Sequence, residues 1–396
     1  DIVVTDDALG SNVLSLSGAD ATLFEIDGTE LFVKAGTILD FEINPALDVT
    51  VEVDDTAIGS TPDHTAVFSL SLSDVFENYT SVNVELNGVT TDYELSSYDS
   101  NQDLYGQYSI SETQDQVTLM GNTWKKLDIG NYTITANTIL EFDFLSTVEG
   151  DFHAIGFDTD NDISQNSGTT FMISGQHNGW GLTTYDNYTT GSGWQSYAIP
   201  VGDYFTGSFT YLTLVNENEQ FPTQSNGHFQ NLKLYETDTL TIGTVGNDTL
   251  TSTNSMDFMA GGDGDDIFVF RLGDSILGAI DRISDFVIST DKITLLTQGG
   301  DALNTPGTLS RATDSATTDI NTIVDNVFTD ADGALIGNQG LGVNSAVLVK
   351  ADTAIYMIVN DGNDGFQTAN DLVINLTGIA GTFPALGALP TDLFFI

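Results

Sequence analysis

The sequence predicts an all-β, multi-domain protein. Apolar and polar residues alternate over most of its length, as half-buried strands do. Clusters of Gly, Asn, Asp and Ser interrupt that alternation at short intervals. A Gly-, Asp- and Asn-rich pattern with a nine-residue period also runs from Gly243 to Val269. At 396 residues the chain exceeds one ordinary core, and its texture divides it into segments 1–78, 79–238, 239–300 and 301–396. No long amphipathic helix is expected, although a short helical turn can form near Ile320 to Val327.

Charge narrows the partners. Asp and Glu number 57 against 9 Lys and Arg, a formal charge of −48. A nucleic-acid binder must neutralise phosphates with basic side chains, so nucleic acid is excluded as a partner. The same excess argues against docking on an anionic membrane. An apolar fraction of 40%, with 23 Phe and 13 Tyr, is enough to build cores, so the chain is expected to fold despite its charge. A folded chain so charged repels itself and calls for a counter-ion. Carboxylates, amides and carbonyls are hard oxygen ligands, which makes Ca²⁺ the expected cofactor. With no cysteine, disulfides and thiolate metal sites are excluded. No stretch reaches the length of a membrane-spanning helix, so no direct membrane insertion is expected. The N-terminal stretch shows no basic-then-apolar signal peptide, and because the first residue is Asp1 a leader or longer upstream polypeptide is expected to lie outside this sequence.

Segment 1–78 holds short alternating strands such as Asp48 to Val53 and Val67 to Leu72, with Lys34 its one basic residue. Leu39-Asp40-Phe41-Glu42, Val49 to Asp55 and Ser73-Asp74-Val75-Phe76-Glu77-Asn78 resemble the later strands and the D-x-N-D-N linker of a bacterial cadherin-like repeat. Phe76 stands where the linker has Asn, and no Pro follows. The resemblance implies a partial cadherin-like sandwich with Ca²⁺ at its junction, held by Glu42, Asp54 and Asp74; the alternative is that these are ordinary surface acids. Such a repeat has about seven strands in roughly 100 residues, and the earliest is missing here. Either the chain is processed from a longer one, or a neighbouring molecule donates the strand and links subunits into a fibre.

In segment 79–238 aromatic density rises and all three tryptophans appear, at 124, 180 and 194. Thr138 to Phe144, Tyr211 to Val215 and Phe229 to Tyr235 alternate cleanly, so residues 116–236 read as one β-sandwich or jelly roll. Asp158-Thr159-Asp160-Asn161-Asp162 packs five oxygen-bearing side chains into one loop. Asp158, Asp160 and Asp162 are candidate Ca²⁺ ligands there, against the alternative of a solvated turn. Downstream, Trp180, Tyr185 and Tyr188 lie on a Gly- and Asn-rich stretch and are candidate sugar contacts, because the C–H faces of sugars stack on aromatic rings. Trp124 and Trp194 are assigned to the core, as most tryptophans are. The segment resembles the carbohydrate-binding sandwiches attached to secreted bacterial polysaccharide-active proteins, which implies an extracellular polysaccharide or cell-surface glycan as partner.

From Gly243 the chain reads in nines: GTVGNDTLT, STNSMDFMA, GGDGDDIFV. Asp248, Asp257 and Asp266 share the sixth position, and Leu250, Met259 and Phe268 the eighth. The third block fits G-G-x-G-x-D-x-U-x throughout, and the first misses only its second Gly. This resembles the calcium-binding nonapeptide of RTX (hemolysin-type) proteins, which form parallel β-rolls. Glycine lets the turn aim carbonyls at an ion, Asp adds charge, and the apolar eighth residue packs inside. The resemblance implies one ion shared by the first and third blocks, on Gly243, Gly246, Asp248, Gly261, Gly264 and Asp266. The middle block has no glycine, so the roll should be short. A flexible Gly/Asp-rich linker, the other reading, has no reason to keep Asp at nine-residue intervals. Asp281-Arg282-Ile283-Ser284-Asp285-Phe286, followed by Asp291-Lys292-Ile293, resembles the segment that closes such rolls. Asp285 and Asp291 are either further ligands or solvated surface acids.

In the last segment, residues 354–376 form two apolar stretches around an Asn/Asp/Gly loop and resemble the bluetail module of RTX proteins. Asp361, Asn363 and Asp371 are candidate ligands there, against a plain hairpin turn. Leu393-Phe394-Phe395-Ile396 resembles the uncleaved signal of type I secretion. No HExxH, nucleophile elbow, P-loop or dinucleotide fingerprint occurs, and the four histidines are scattered. No enzyme is expected. A lyase would need a base such as His153 or Tyr211 beside a Lys or Arg, and cations are scarce. The combined expectation is a secreted, calcium-stabilised adhesion or matrix protein, extracellular or on the cell surface. A filament or surface-layer subunit is the alternative, and a polysaccharide-degrading enzyme is the third reading.

Overall fold

The computed structural model describes the chain except residues 6–10, 38, 40–43, 56, 58, 60, 73–78, 164–166, 176–178 and 220–223. The chain divides into two compact units, Asp1–Asn78 and Tyr79–Ile396. Both are built on strands. Among the described residues Ile320–Thr329 is the one α-helix, and no helix is long and apolar enough to cross a membrane.

The first unit has a three-stranded antiparallel sheet, Val13–Ser17, Ala46–Asp54 and His64–Ser71, and a hairpin, Phe24–Asp27 with Glu30–Val33. Alternation places Leu47 and Val49 of the middle strand on one face, where they meet Phe24 in a small core. The strand His64–Ser71 lies at the sheet's edge and is almost wholly exposed, with Val67 at 76% and Phe68 at 45% exposure. The alternation read from residues 67–72 therefore forms a strand but not a half-buried one. Its far face is exposed, and Phe68 meets Phe24 of the core edge-on at 6.4 Å.

The second unit opens with a two-layer sandwich that starts earlier than residue 116. One layer orders Thr170–Gly175, Phe152–Asp158, Gly207–Glu217 and Thr123–Ile134. The other includes Gln116–Met120, Asn226–Glu236, Thr138–Leu145 and Gln195–Pro200 in that lateral order. Ser81–Leu86 and Val89–Ser97 join as a hairpin, and the latter also pairs with Thr123–Ile134, linking the layers. Inward-facing Leu127, Leu140, Phe142, Phe144, Ile155 and Phe157 fill the space between. Phe152–Asp158 is buried on both faces, because its outward side lies under a second small core of Trp124, Phe152, Ala154, Met172 and Val215.

The nine-residue blocks stack as a two-sided parallel roll. Thr239–Ile242, Asp257–Ala260 and Asp281–Ile283 pair in parallel on one side, and Thr249–Thr251, Ile267–Arg271 and Lys292–Leu296 on the other. The eighth-position residues Leu250, Met259 and Phe268 point inside. Segments 239–300 and 301–396, read separately from sequence, share one eight-stranded sheet. Asp281–Ile283 pairs in parallel with Leu372–Asn375, which continues into Ala354–Asn360 and Ser345–Ala351. Phe394 and Phe395 are buried in the same core, Phe394 stacking on Phe286 at 5.6 Å. The helix Ile320–Thr329, capped by Asp319 accepting from the Thr322 N–H, packs Ile323, Val324 and Val327 on the sheet's other face.

Scarce cations mark where sandwich and roll meet. Arg282 Nε lies 3.4 Å from Glu141 Oε1, Tyr235 donates to the same oxygen at 2.7 Å, and Thr353 donates to Asp143 at 2.8 Å. The Arg282–Glu141 pair is largely buried, so removing one partner should cost about 3–5 kcal/mol.

Candidate functional sites

The roll's turns bring the first and third blocks together. Asp248 N–H donates to Asp266 Oδ1 at 2.8 Å, and Asp266 N–H donates to Asp291 Oδ1 at 3.1 Å, so Asp248, Asp266 and Asp291 form a column along one flank. Thr244 donates N–H and Oγ1 to Asp248 Oδ2. Asp266 is fully buried and its Oδ2 has no hydrogen-bond partner. A β-carbon at Gly261 would come within 2.2 Å of that oxygen, and one at Gly243 within 2.1 Å of the Gly261 carbonyl. Glycine is required here by close approach. Gly264 lies against the backbone of Gly246, completing the stacked turns. An unpartnered buried carboxylate oxygen beside closely packed backbone is a donor set that fits a hard cation. Among the described residues no three His, Cys, Asp or Glu side chains converge on one metal position. A cation here would therefore draw on backbone carbonyls as well.

Asp285 and Asp291 serve the same turns as acceptors. Asp285 takes the N–H groups of Gly261 and Gly262, and Asp291 those of Asp266 and Val287. Burial raises both carboxyls above their usual range. The opposite flank repeats the arrangement with two acids that were not among the expected ligands. Asp257 N–H donates to Asp281 Oδ1 at 2.9 Å, Asp281 Oδ2 has no partner, and burial pushes the Asp281 carboxyl up to about 8. Asp257 occupies the sixth position of the glycine-free block, which was the available signal.

The other acidic candidates lie in separate places. Asp158 closes its own loop: Oδ1 accepts from Thr159 N–H, and Oδ2 from Asn161 N–H and the Tyr98 hydroxyl. Asp160 accepts from Asp162 N–H, and Lys126 Nζ reaches Asn161 Oδ1 at 2.7 Å. The loop is thus closed by backbone donors, the Tyr98 hydroxyl and the Lys126 bond to the Asn161 amide. Asp371 takes N–H groups of Asp361 and Gln367, and Asp361 takes both nitrogens of Asn363, closing the turn as a hairpin turn would. Asp54 ends the strand Ala46–Asp54 with a partnerless Oδ1. Glu42 and Asp74 lie outside the described residues.

The aromatic expectations separate. Tyr188 is buried, and its hydroxyl accepts from Ser146 N–H and donates to the Gly193 carbonyl at 2.9 Å, so it is a core residue and not a sugar contact. Trp180 stacks on Phe152 at 5.8 Å and meets Trp124 edge-on at 5.9 Å, lying over the second core. Trp124 is buried as expected and donates Nε1–H to Glu217 Oε2; burial pushes the Glu217 carboxyl up to about 7. Trp194, expected in the core, is 37% exposed: it has the parity of outward-facing Ser196 and Ala198, not of Tyr197 and Ile199. His153 is fully buried beside Phe144, and burial pushes it down to about 3, so it stays neutral inside the sandwich.

Tyr185 lines a cleft of about 380 Å³ beside the edge strand Gln195–Pro200. Tyr197, Tyr204, Asn187, Gln195 and Asp203 share it. Asn187 Oδ1 accepts from Gln195 Nε2 and the Tyr197 hydroxyl, both at 3.0 Å, which fixes the amides against the rings.

No protein-family model matches the chain, and no curated protein matches it. Among solved structures it is similar to the family 30 carbohydrate-binding module of the cellulosomal cellulase Cel9D-Cel44B of Clostridium thermocellum, at 16% identity over 41% of this chain and 96% of that chain, with a TM-score of 0.22. It is also similar to a protein in a crystal structure with xylogluco-oligosaccharide, at 13% identity over 57% of this chain and 55% of that one, with a TM-score of 0.21. SGBP-B from a complex xyloglucan utilization locus in Bacteroides uniformis follows at 10% identity over 57% and 65%, also with a TM-score of 0.21.

Proposed function

We propose that this chain is a secreted, calcium-stabilised adhesion or matrix protein that binds extracellular glycans through its sandwich and performs no chemistry on them. Glycan recognition rests on the cleft between sandwich and roll, where Tyr185, Tyr197 and Tyr204 supply apolar surface and Asn187, Gln195 and Asp203 supply hydroxyl partners. A sugar needs this pairing of flat apolar surface with fixed polar groups. Binding of wild-type protein to a panel of neutral and anionic polysaccharides, followed by calorimetry, tests the reading. Retention of none of them would end it.

Ca²⁺ would be held by Asp248, Asp266 and the carbonyls of the stacked turns, and it would supply divalent charge to a strongly anionic chain. Folding then follows metal binding, and so export through a type I route into calcium-rich surroundings. Melting should rise when millimolar Ca²⁺ replaces EGTA. Asp266→Asn should remove about 1–3 kcal/mol of that rise.

The edge strand His64–Ser71 favours a second reading, a subunit that assembles edge to edge. Its eight residues carry no Asp, Glu, Lys, Arg or Pro, the features that usually protect an exposed edge. Sedimentation at rising concentration separates an assembling subunit from a soluble binder.

A further inference from the structure

The sandwich carries a second aromatic surface, apart from the tyrosine cleft. Trp194 immediately precedes the edge strand Gln195–Pro200, and strand parity turns it to the outer side of that layer. Its ring meets His228 at 6.3 Å, with an interplanar angle of 73°. Register extends the surface sideways: Leu145 pairs with His228, and His228 pairs with Thr118 on the next strand. One step along, Gln230 pairs with Gln116. Leu145, His228, Thr118, Gln116 and Gln230 are all partly accessible, so three strands present an open platform.

The platform is uncharged in a chain of −48. Burial holds His228 below its usual titration range, so its ring is neutral at pH 7, and its Nδ1 pairs with Thr118 Oγ1 at 2.8 Å. The carboxylate in these rows, Asp143, is buried and receives donors from Ser196, Asn231, Thr353 and Gln230. An exposed indole beside amides and a hydroxyl suits a ligand with a flat C–H face ringed by neutral hydroxyls. Equatorially substituted, β-linked hexoses and pentoses have that shape. An anionic glycan would meet the repulsion of the whole chain.

We infer that Trp194, with His228, Thr118, Gln116 and Gln230, forms a stacking subsite for neutral β-linked polysaccharide. The inference rests on the glycan-binding reading above and adds to the cleft a second contact on another face of the sandwich. Affinity electrophoresis and calorimetry with hydroxyethylcellulose and galactomannan, with carboxymethylcellulose as the anionic counterpart, provide the test. Wild type should bind a neutral polymer at least about tenfold better than the anionic one, and Trp194→Ala should lose roughly tenfold or more in affinity. Trp194→Ala should keep the wild-type melting point and lose the ligand-induced change in tryptophan fluorescence. Unchanged affinity in Trp194→Ala, with loss in Tyr185→Ala, would overturn the platform and leave the glycan reading intact. Preference for the anionic polymer would overturn the neutral-ligand assignment, and binding of none by wild type would overturn both.

Discussion

The two outward faces of the sandwich treat tryptophan in opposite ways. Trp124 and Trp194 each point away from the central core by strand parity, yet Trp124 is buried and Trp194 is exposed. The difference lies in what comes over the face. Trp180, Ile163 and Tyr98 cover Trp124 and make a second core, whereas the strands around His228 keep an open polar surface. A ring that is capped contributes stability, and a ring left bare is available to a ligand.

Trp124→Ala should have the largest effect, a loss of about 3–5 kcal/mol, because it empties a capped site and strands the buried Glu217. Differential scanning calorimetry would show a fall of several degrees; a melting point equal to wild type would erase the distinction between the faces. Glu217 sharpens it through pH. Its carboxyl titrates at about 7 in the folded protein against an ordinary value of 4.5. The folded state therefore holds the proton longer, and this contribution is fully present below pH 4.5 and lost as pH rises through 7. Glu217→Gln should raise stability at pH 8 by up to about 3 kcal/mol and change little at pH 4. Equal gains at both pH values would show that its charge is not what burial opposes.

Trp194→Ala should shift stability by no more than about 0.5 kcal/mol, as for a surface position, in urea unfolding. A larger loss would move Trp194 to the packed class. Smallest of all in folding energy is Val67→Lys on the bare strand of the first unit, which should leave melting unchanged while abolishing any self-association seen by sedimentation. If the wild type assembles and this variant does so equally, the edge strand is not the contact.

The stacking of the roll was legible locally. The interval of nine placed Asp248, Asp257 and Asp266 in register, and they stand on stacked turns. Parity around Tyr197 and Ile199 also carried the outward direction of Trp194, but the habit of tryptophans to fill cores outweighed it. Asp281 was hidden because its partner, the Asp257 N–H, is 24 residues away in a block without glycine. The bond from Lys126 to Asn161 in the Asp158 loop was hidden too, because the two residues lie 35 apart in the chain.

The sequence alone determined the all-β class, the side of the strand each residue faces and the nine-residue spacing of the roll, since these depend on backbone periodicity within a few residues. Tertiary structure decided which faces are covered, joined segments 239–300 and 301–396 in one sheet, and left Trp194 and Val67 exposed. Coverage depends on elements distant in the chain that happen to pack together, and local alternation carries no record of them.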